Sequence, residues 1–250
     1  MKAVDRRLDE NPLKEFCSLR TDVLYASVSN KSVNPGAGHR GEIKRQVVRS
    51  LIVSAIERGM QGANFSHLGD RIPDIQKDSL GRPTLRVSNN ENWSISFSYG
   101  REKLWGAICS GNLNCGIDVA YPEDFTKSYP FHRAFSDTEL CLLSSSLNLS
   151  AIEAAAFAWS AKESVVKALG VGFHLCDPLD LEVTGVQSYS RYFEADVGLT
   201  ARPKLKATLN GFTVFKTMVR HDENGFLSLS ANAISNNQAH SEGLERFSVM

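Results

Sequence analysis

The segment FAWSAKESVVKALG, residues 157–170, constrains this chain more than any other. Phe157, Ala158, Trp159, Ala161, Val165, Val166, Ala168 and Leu169 cover most of a helical wheel, so the helix must be surrounded by protein. A narrow polar stripe remains, made of Glu153, Ser160, Glu163, Ser164 and Lys167, while Lys162 stands alone between Ala155 and Leu169. The stripe must face a cleft, solvent or a ligand. Glu163 and Lys167 also have the i,i+4 spacing of an ordinary surface pair, and Lys162 could lay its stem along apolar neighbours. The other reading is a carboxylate for a metal, with two ammonium groups for phosphates.

The surroundings of that helix suggest a layered α+β domain. A strand is expected over 22–28, a helix over 41–59 closed by Gly59, and a loop over 60–83. Strands follow at 93–98, 103–109 and 115–120, with Ser-Gly-Asn (110–112) joining the last two as a hairpin. Ser136…Glu139 and Ser150…Glu153 are capping boxes that open two further helices. Strands close the chain at 204–209, 212–219 and 226–233, separated by Asn210-Gly211 and residues 222–225. Short turns favour antiparallel pairing. The fold expected is α+β, with two similar-sized lobes related by a pseudo-two-fold, each a main helix on a mostly antiparallel sheet. The lobes are residues 1–121 and 122–235, followed by a polar tail, 236–250.

Composition excludes some functions. Lys plus Arg equals Asp plus Glu, 28 each, which argues against a bulk nucleic-acid binder. The first residues are too charged for a secretory signal, and no apolar run approaches the roughly 20 residues that span a bilayer. The five cysteines include no C-x-x-C pair. These features point to a cytoplasmic, monomeric protein with reduced, mostly buried thiols and no membrane or nucleic-acid partner.

A second carboxylate carries the argument further. In GIDVA (116–120), alternation sends Asp118 to the strand face opposite Ile117 and Val119; the alternative is an exposed strand-end carboxylate. The basic stretch HRGEIKRQVVR (39–49) opens a helix, where anions are favoured, or forms a solvated basic face.

In chain order, G-I-D (116–118), R-A-F-S-D-T-E (133–139) and W-S-A-K-E-S-x-x-K (159–167) together resemble the surfactin-type 4′-phosphopantetheinyl transferases. Upstream, Gly81-Arg82-Pro83 fits that family's G-K/R-P segment, and Ser96-Phe97-Ser98 fits its S-H-S segment imperfectly. The match in order and spacing covers roughly residues 39–190. The resemblance implies transfer of 4′-phosphopantetheine from coenzyme A, the co-substrate, to a serine of an apo acyl or peptidyl carrier protein. It implies Mg²⁺ on Asp118 and Glu163, with Asp118, Glu163 and Lys167 catalytic. Glu163 would also accept the serine proton. Arg40, Lys44, Arg45, Arg82, Pro83, Ser96, Ser98, Lys162 and Lys167 would contact coenzyme A. Two departures stand out. Ala120 occupies the family's second carboxylate position and cannot bind a metal, and Phe97 occupies the usual histidine position and cannot hydrogen-bond a phosphate. They leave open a second reading, a catalytically inactive coenzyme A- or carrier-binding relative.

Overall fold

A computed structural model describes residues 23–29, 39–57, 75–77, 81–86, 92–109, 113–126, 128–171, 173, 176–200 and 214–233. Within them lie two five-stranded antiparallel sheets. The first contains β1 (Val23–Ser29), β2 (Ile75–Lys77), β3 (Pro83–Arg86), β4 (Asn92–Tyr99) and β5 (Lys103–Cys109), in the order β1-β5-β4-β3-β2. The second contains β6 (Leu113–Ala120), β7 (Leu181–Ser188), β8 (Phe193–Leu199), β9 (Val214–Asp222) and β10 (Gly225–Ala233), in the order β6-β10-β9-β8-β7. Each sheet winds in the same way: the first strand pairs with the last, and the others follow in descending order. The two α+β lobes repeat one connectivity without repeating letters.

Helix α1 (His39–Glu57) covers the first sheet. Its Ile43, Val47, Val48, Leu51 and Ala55 recur at helical spacing and pack against Leu85, Trp93, Ile95, Leu104 and Ile108. Helices α2 (Asp137–Leu147) and α3 (Ala151–Leu169) belong to the second lobe. Both start at the capping-box serines. The Ser136 hydroxyl accepts the Glu139 N–H at 3.1 Å while the Ser136 N–H donates to the Glu139 carboxylate at 2.9 Å. Helix α3 ends at Gly170, whose φ of 74° a side chain would strain.

Helix α3 lies directly on β6 because both sides are small. A Cβ built on Gly116 would come within 1.9 Å of the Ser164 carbonyl oxygen. Ser160 and Ser164 then meet Ser228 and Ser230 of β10, hydroxyl to hydroxyl, at 2.7 Å each. Gly116→Ala should therefore push helix from sheet and cost at least the 1–3 kcal/mol typical of overpacking. Chemical denaturation measures this, and an unchanged midpoint would contradict the close approach.

The lobes meet along β4 and β6. One edge of β6 pairs with β10. On its other edge, the N–H groups of Cys115, Ile117 and Val119 donate to the hydroxyls of Ser94, Ser96 and Ser98, at 3.1, 3.1 and 3.2 Å. Every second residue of β4 here is serine, so side chains complete an edge that backbone leaves open. A second junction stacks Arg220 of β9 over Tyr25 and Trp105 of the first sheet, and Trp105 donates to Asp222 at 3.2 Å.

Several sequence expectations change. Residues 103–109 and 113–120 are not a hairpin, since β5 and β6 belong to different sheets; the tight connection is Gly100–Glu102, between β4 and β5. The change of sheet thus precedes Leu113, and β6, read with residues 1–121, hydrogen-bonds into the second sheet. The expected loop 60–83 contains β2, an edge strand too short to signal itself. Strands β7 and β8 were not anticipated. The expected strand 204–209, the turn Asn210-Gly211, Gly59 and the tail lie outside the described residues. Cys109, Cys115, Cys141 and Cys176 are free thiols, all but Cys141 buried. Among the described residues no single helix is long and apolar enough to cross a membrane.

Candidate active site

Alternation along β6 sorts its side chains. Cys115, Ile117 and Val119 enter the core between the sheets with Met218, Leu227 and Leu229. Gly116, Asp118 and Ala120 take the other face, where Gly116 touches α3. Asp118 is thereby carried to the lysine and glutamate of α3. It is buried, 4% exposed, and not a strand-end surface group.

Lys167 holds this arrangement together. Its Nζ donates to Asp118 Oδ1 at 2.6 Å and to the Ile117 carbonyl at 3.1 Å, and lies 3.5 Å from Glu163 Oε1. Ser98 donates to the same Asp118 oxygen at 2.8 Å. Two carboxylates thus turn toward one ammonium. They open on a cavity of about 440 Å³ lined by Ser98, Asp124, Lys167 and both acids, with aromatic walls that include Phe97, Tyr129 and Trp159.

The electrostatics follow from burial and neighbours. Burial raises the Asp118 pKa to about 6, against the pull of Lys167 and with some help from the Glu163 charge. Burial alone would lower the Lys167 pKa, but Asp118 and Glu163 hold it above the usual lysine range. The ammonium stays charged between the two acids.

The expected polar stripe of α3 divides, with Glu153 turned back to Ser150 at the helix start. Glu163 and Lys167 face the cavity, whereas Ser160 and Ser164 are sealed against β10. Lys162 does not reach the cavity. It is fully buried on the far side of α3, where its three N–H donors reach Glu139 Oε1 at 2.6 Å, the Ala134 carbonyl at 2.9 Å and the Pro178 carbonyl at 3.2 Å.

Other expected contacts separate as well. Ser98 lines the cavity, but Ser96 does not; its hydroxyl holds the Ile117 N–H. Lys44 lies over the rings of Phe97 and Tyr99, at 5.2 and 5.7 Å, and so reaches the cavity rim. Arg45 is exposed and pairs with Glu42 at 3.2 Å. Arg82 lies against the end of α3, close to Gly170 and with NH1 at 3.5 Å from the Ala168 carbonyl. That position complements a helix C-terminus and is not part of the cavity wall. Pro83 is half-buried in β3, opposite Lys77. The Arg40 side chain lies outside the described residues.

Ala120 lines the cavity without a ligand atom. Glu123 turns away to Arg101, at 3.0 Å. Asp124 is the acid nearest in sequence that does reach the cavity, yet its Oδ2 accepts the Tyr121 N–H at 3.2 Å. Among the described residues no group of three or more His, Cys, Asp or Glu side chains converges on one metal position. The sequence reading missed the aromatic wall of Phe125, Tyr129 and Trp159, because aromatic residues in a loop and on a buried helix look like core.

Residues 114–230 match the family model of the 4′-phosphopantetheinyl transferase superfamily. The matched stretch runs from β6 to β10 and includes Asp118, Glu163 and Lys167. No curated protein matches the chain.

Proposed function

We propose that this protein transfers 4′-phosphopantetheine from coenzyme A to a serine hydroxyl of an apo carrier protein, as surfactin-type transferases do. One observation carries the reading: Asp118 of β6 and Glu163 of α3 converge on one cationic position inside a cavity. The superfamily match over 114–230 supports phosphopantetheine transfer in general.

The residues fit a Mg²⁺ ion. It takes hard oxygen ligands, often one or two carboxylates with substrate phosphates and waters, and both acids already face a positive charge. Asp118 and Glu163 would hold the ion, which when bound draws charge from the phosphoryl oxygens. The rest falls to the side chains. The serine oxygen attacks the phosphorus that carries the pantetheine arm, and Glu163 takes the serine proton. The bond from that phosphorus to the bridging oxygen breaks, and 3′,5′-adenosine bisphosphate leaves with its electron pair. Lys167 faces the charge that develops on the leaving phosphate, and Ser98 keeps Asp118 in position.

The test is to incubate the protein with coenzyme A, Mg²⁺ and a panel of apo carrier proteins, then weigh the carriers. The expected gain is one phosphopantetheine group on one serine. Coenzyme A binding in calorimetry with every carrier unmodified would instead support a binding-only relative.

A further inference from the structure

Tyr129 lines the cavity, yet neither the catalytic residues nor the basic patch includes it. It precedes a short 3-10 turn over Phe131–Arg133. Its ring meets Phe125, Phe131 and Trp159 edge-on, with centroids 4.8, 5.8 and 6.4 Å away. Three edge-to-face contacts restrain the ring.

That frame determines where the hydroxyl acts. Trp159 and Glu163 are one turn apart on α3 and share a face. A ring held against Trp159 is therefore next to Glu163. A phenol, with an ordinary pKa of about 10, keeps its proton near neutral pH. Among the described residues the Tyr129 hydroxyl makes no hydrogen bond. Of the other donors at the acidic end, Lys167 and Ser98 both donate to Asp118, and Lys167 is assigned to the leaving phosphate. The phosphoryl group that is transferred needs a further donor that the acids do not occupy.

We propose that Tyr129 is a ligand-binding residue of the cavity, whose hydroxyl donates to a phosphoryl oxygen of the phosphopantetheine unit. This rests on the transferase reading above. A neutral donor suits the position, because it adds no charge that the acids would capture. It also separates the two halves of coenzyme A, since the hydroxyl contacts the half that is transferred and not the half that leaves.

Tyr129→Phe tests the contact and keeps the ring packing, which an unchanged melting temperature verifies. Calorimetry on the full chain with Mg²⁺ uses three probes: coenzyme A, 4′-phosphopantetheine and 3′,5′-adenosine bisphosphate. Loss of one hydrogen bond to a charged group should raise Kd about tenfold or more for the first two. The third should bind unchanged. Equal Kd values for wild type and variant with all probes, or equal weakening of all three, would overturn the assignment of Tyr129. Wild-type protein that binds none of the three would overturn the transferase reading itself, and the Tyr129 contact with it.

Discussion

Lys162→Met is expected to destabilise this protein by about 3–5 kcal/mol, the usual consequence of leaving one member of a buried ion pair alone. The pair is enclosed, with both side chains 0% exposed. Lys162 uses all its donors, and Glu139 is equally committed: Oε1 takes the lysine and the Ser136 N–H, while Oε2 takes the Val183 N–H at 3.0 Å. The network ties α3 to the start of α2, to the Pro178 turn and to β7. Burial pushes the Glu139 pKa up and the Lys162 pKa down, so each charge depends on the other. Methionine fills similar volume but leaves the carboxylate buried without a counter-charge. The double variant Lys162→Met/Glu139→Gln should recover part of the loss, because a neutral amide can still accept one backbone N–H. Denaturation curves of the single and double variants form the necessary cycle. If Lys162→Met lost coenzyme A affinity at a temperature where it remained folded, with no fall in stability, then Lys162 would be a ligand contact after all.

The motif W-S-A-K-E-S-x-x-K was legible as a unit, but the roles within it were not. Lys162 and Lys167 are both lysines on one apolar helix, and a wheel shows only that they point in different directions. What they meet depends on Glu139 and Asp118, distant in sequence by 23 and 49 residues. The signal for Lys162 was present in Glu139. It reads as the N3 residue of a capping box, but the oxygen that takes the Ser136 N–H also takes the lysine, and the other oxygen takes the Val183 N–H. The serine alternation of β4 read correctly as a strand, yet its use as a side-chain edge for β6 appears only when the two sheets meet. Strands were found where turns and alternation announced them. They were missed at β7 and β8, where a register shift between Val183 and Gly185 interrupts the pairing and small and polar residues dilute the pattern. Topology was the least legible feature: hairpins were assigned by proximity in sequence, and β6 pairs with β10, more than 100 residues away.

Glu163→Gln should lower kcat/KM by about 10³-fold, within the 10²–10⁴ range for a general base, with carrier loading as the readout. Asp118→Asn should have an effect of similar size for a different reason, since it removes the carboxylate that orients Lys167. The ligand-free protein separates the two. Asp118 should titrate near pH 6. This is above the roughly 3.9 of an unfolded aspartate, so its proton favours the folded state. That contribution is complete below about pH 4 and fades as pH rises through 6. The neighbours then act in opposite directions. Glu163→Gln removes a like charge and should lower the Asp118 midpoint, whereas Lys167→Met removes the opposing charge and should raise it. Carboxyl carbon NMR of Asp118 in both variants measures these shifts directly. A midpoint that ignored both substitutions would mean that the three groups do not share one cavity in solution. The proposed Mg²⁺ site and the proton transfer to Glu163 would then lose their common footing. Opposite shifts together with lost turnover would instead tie the chemistry to the one ammonium that both acids face.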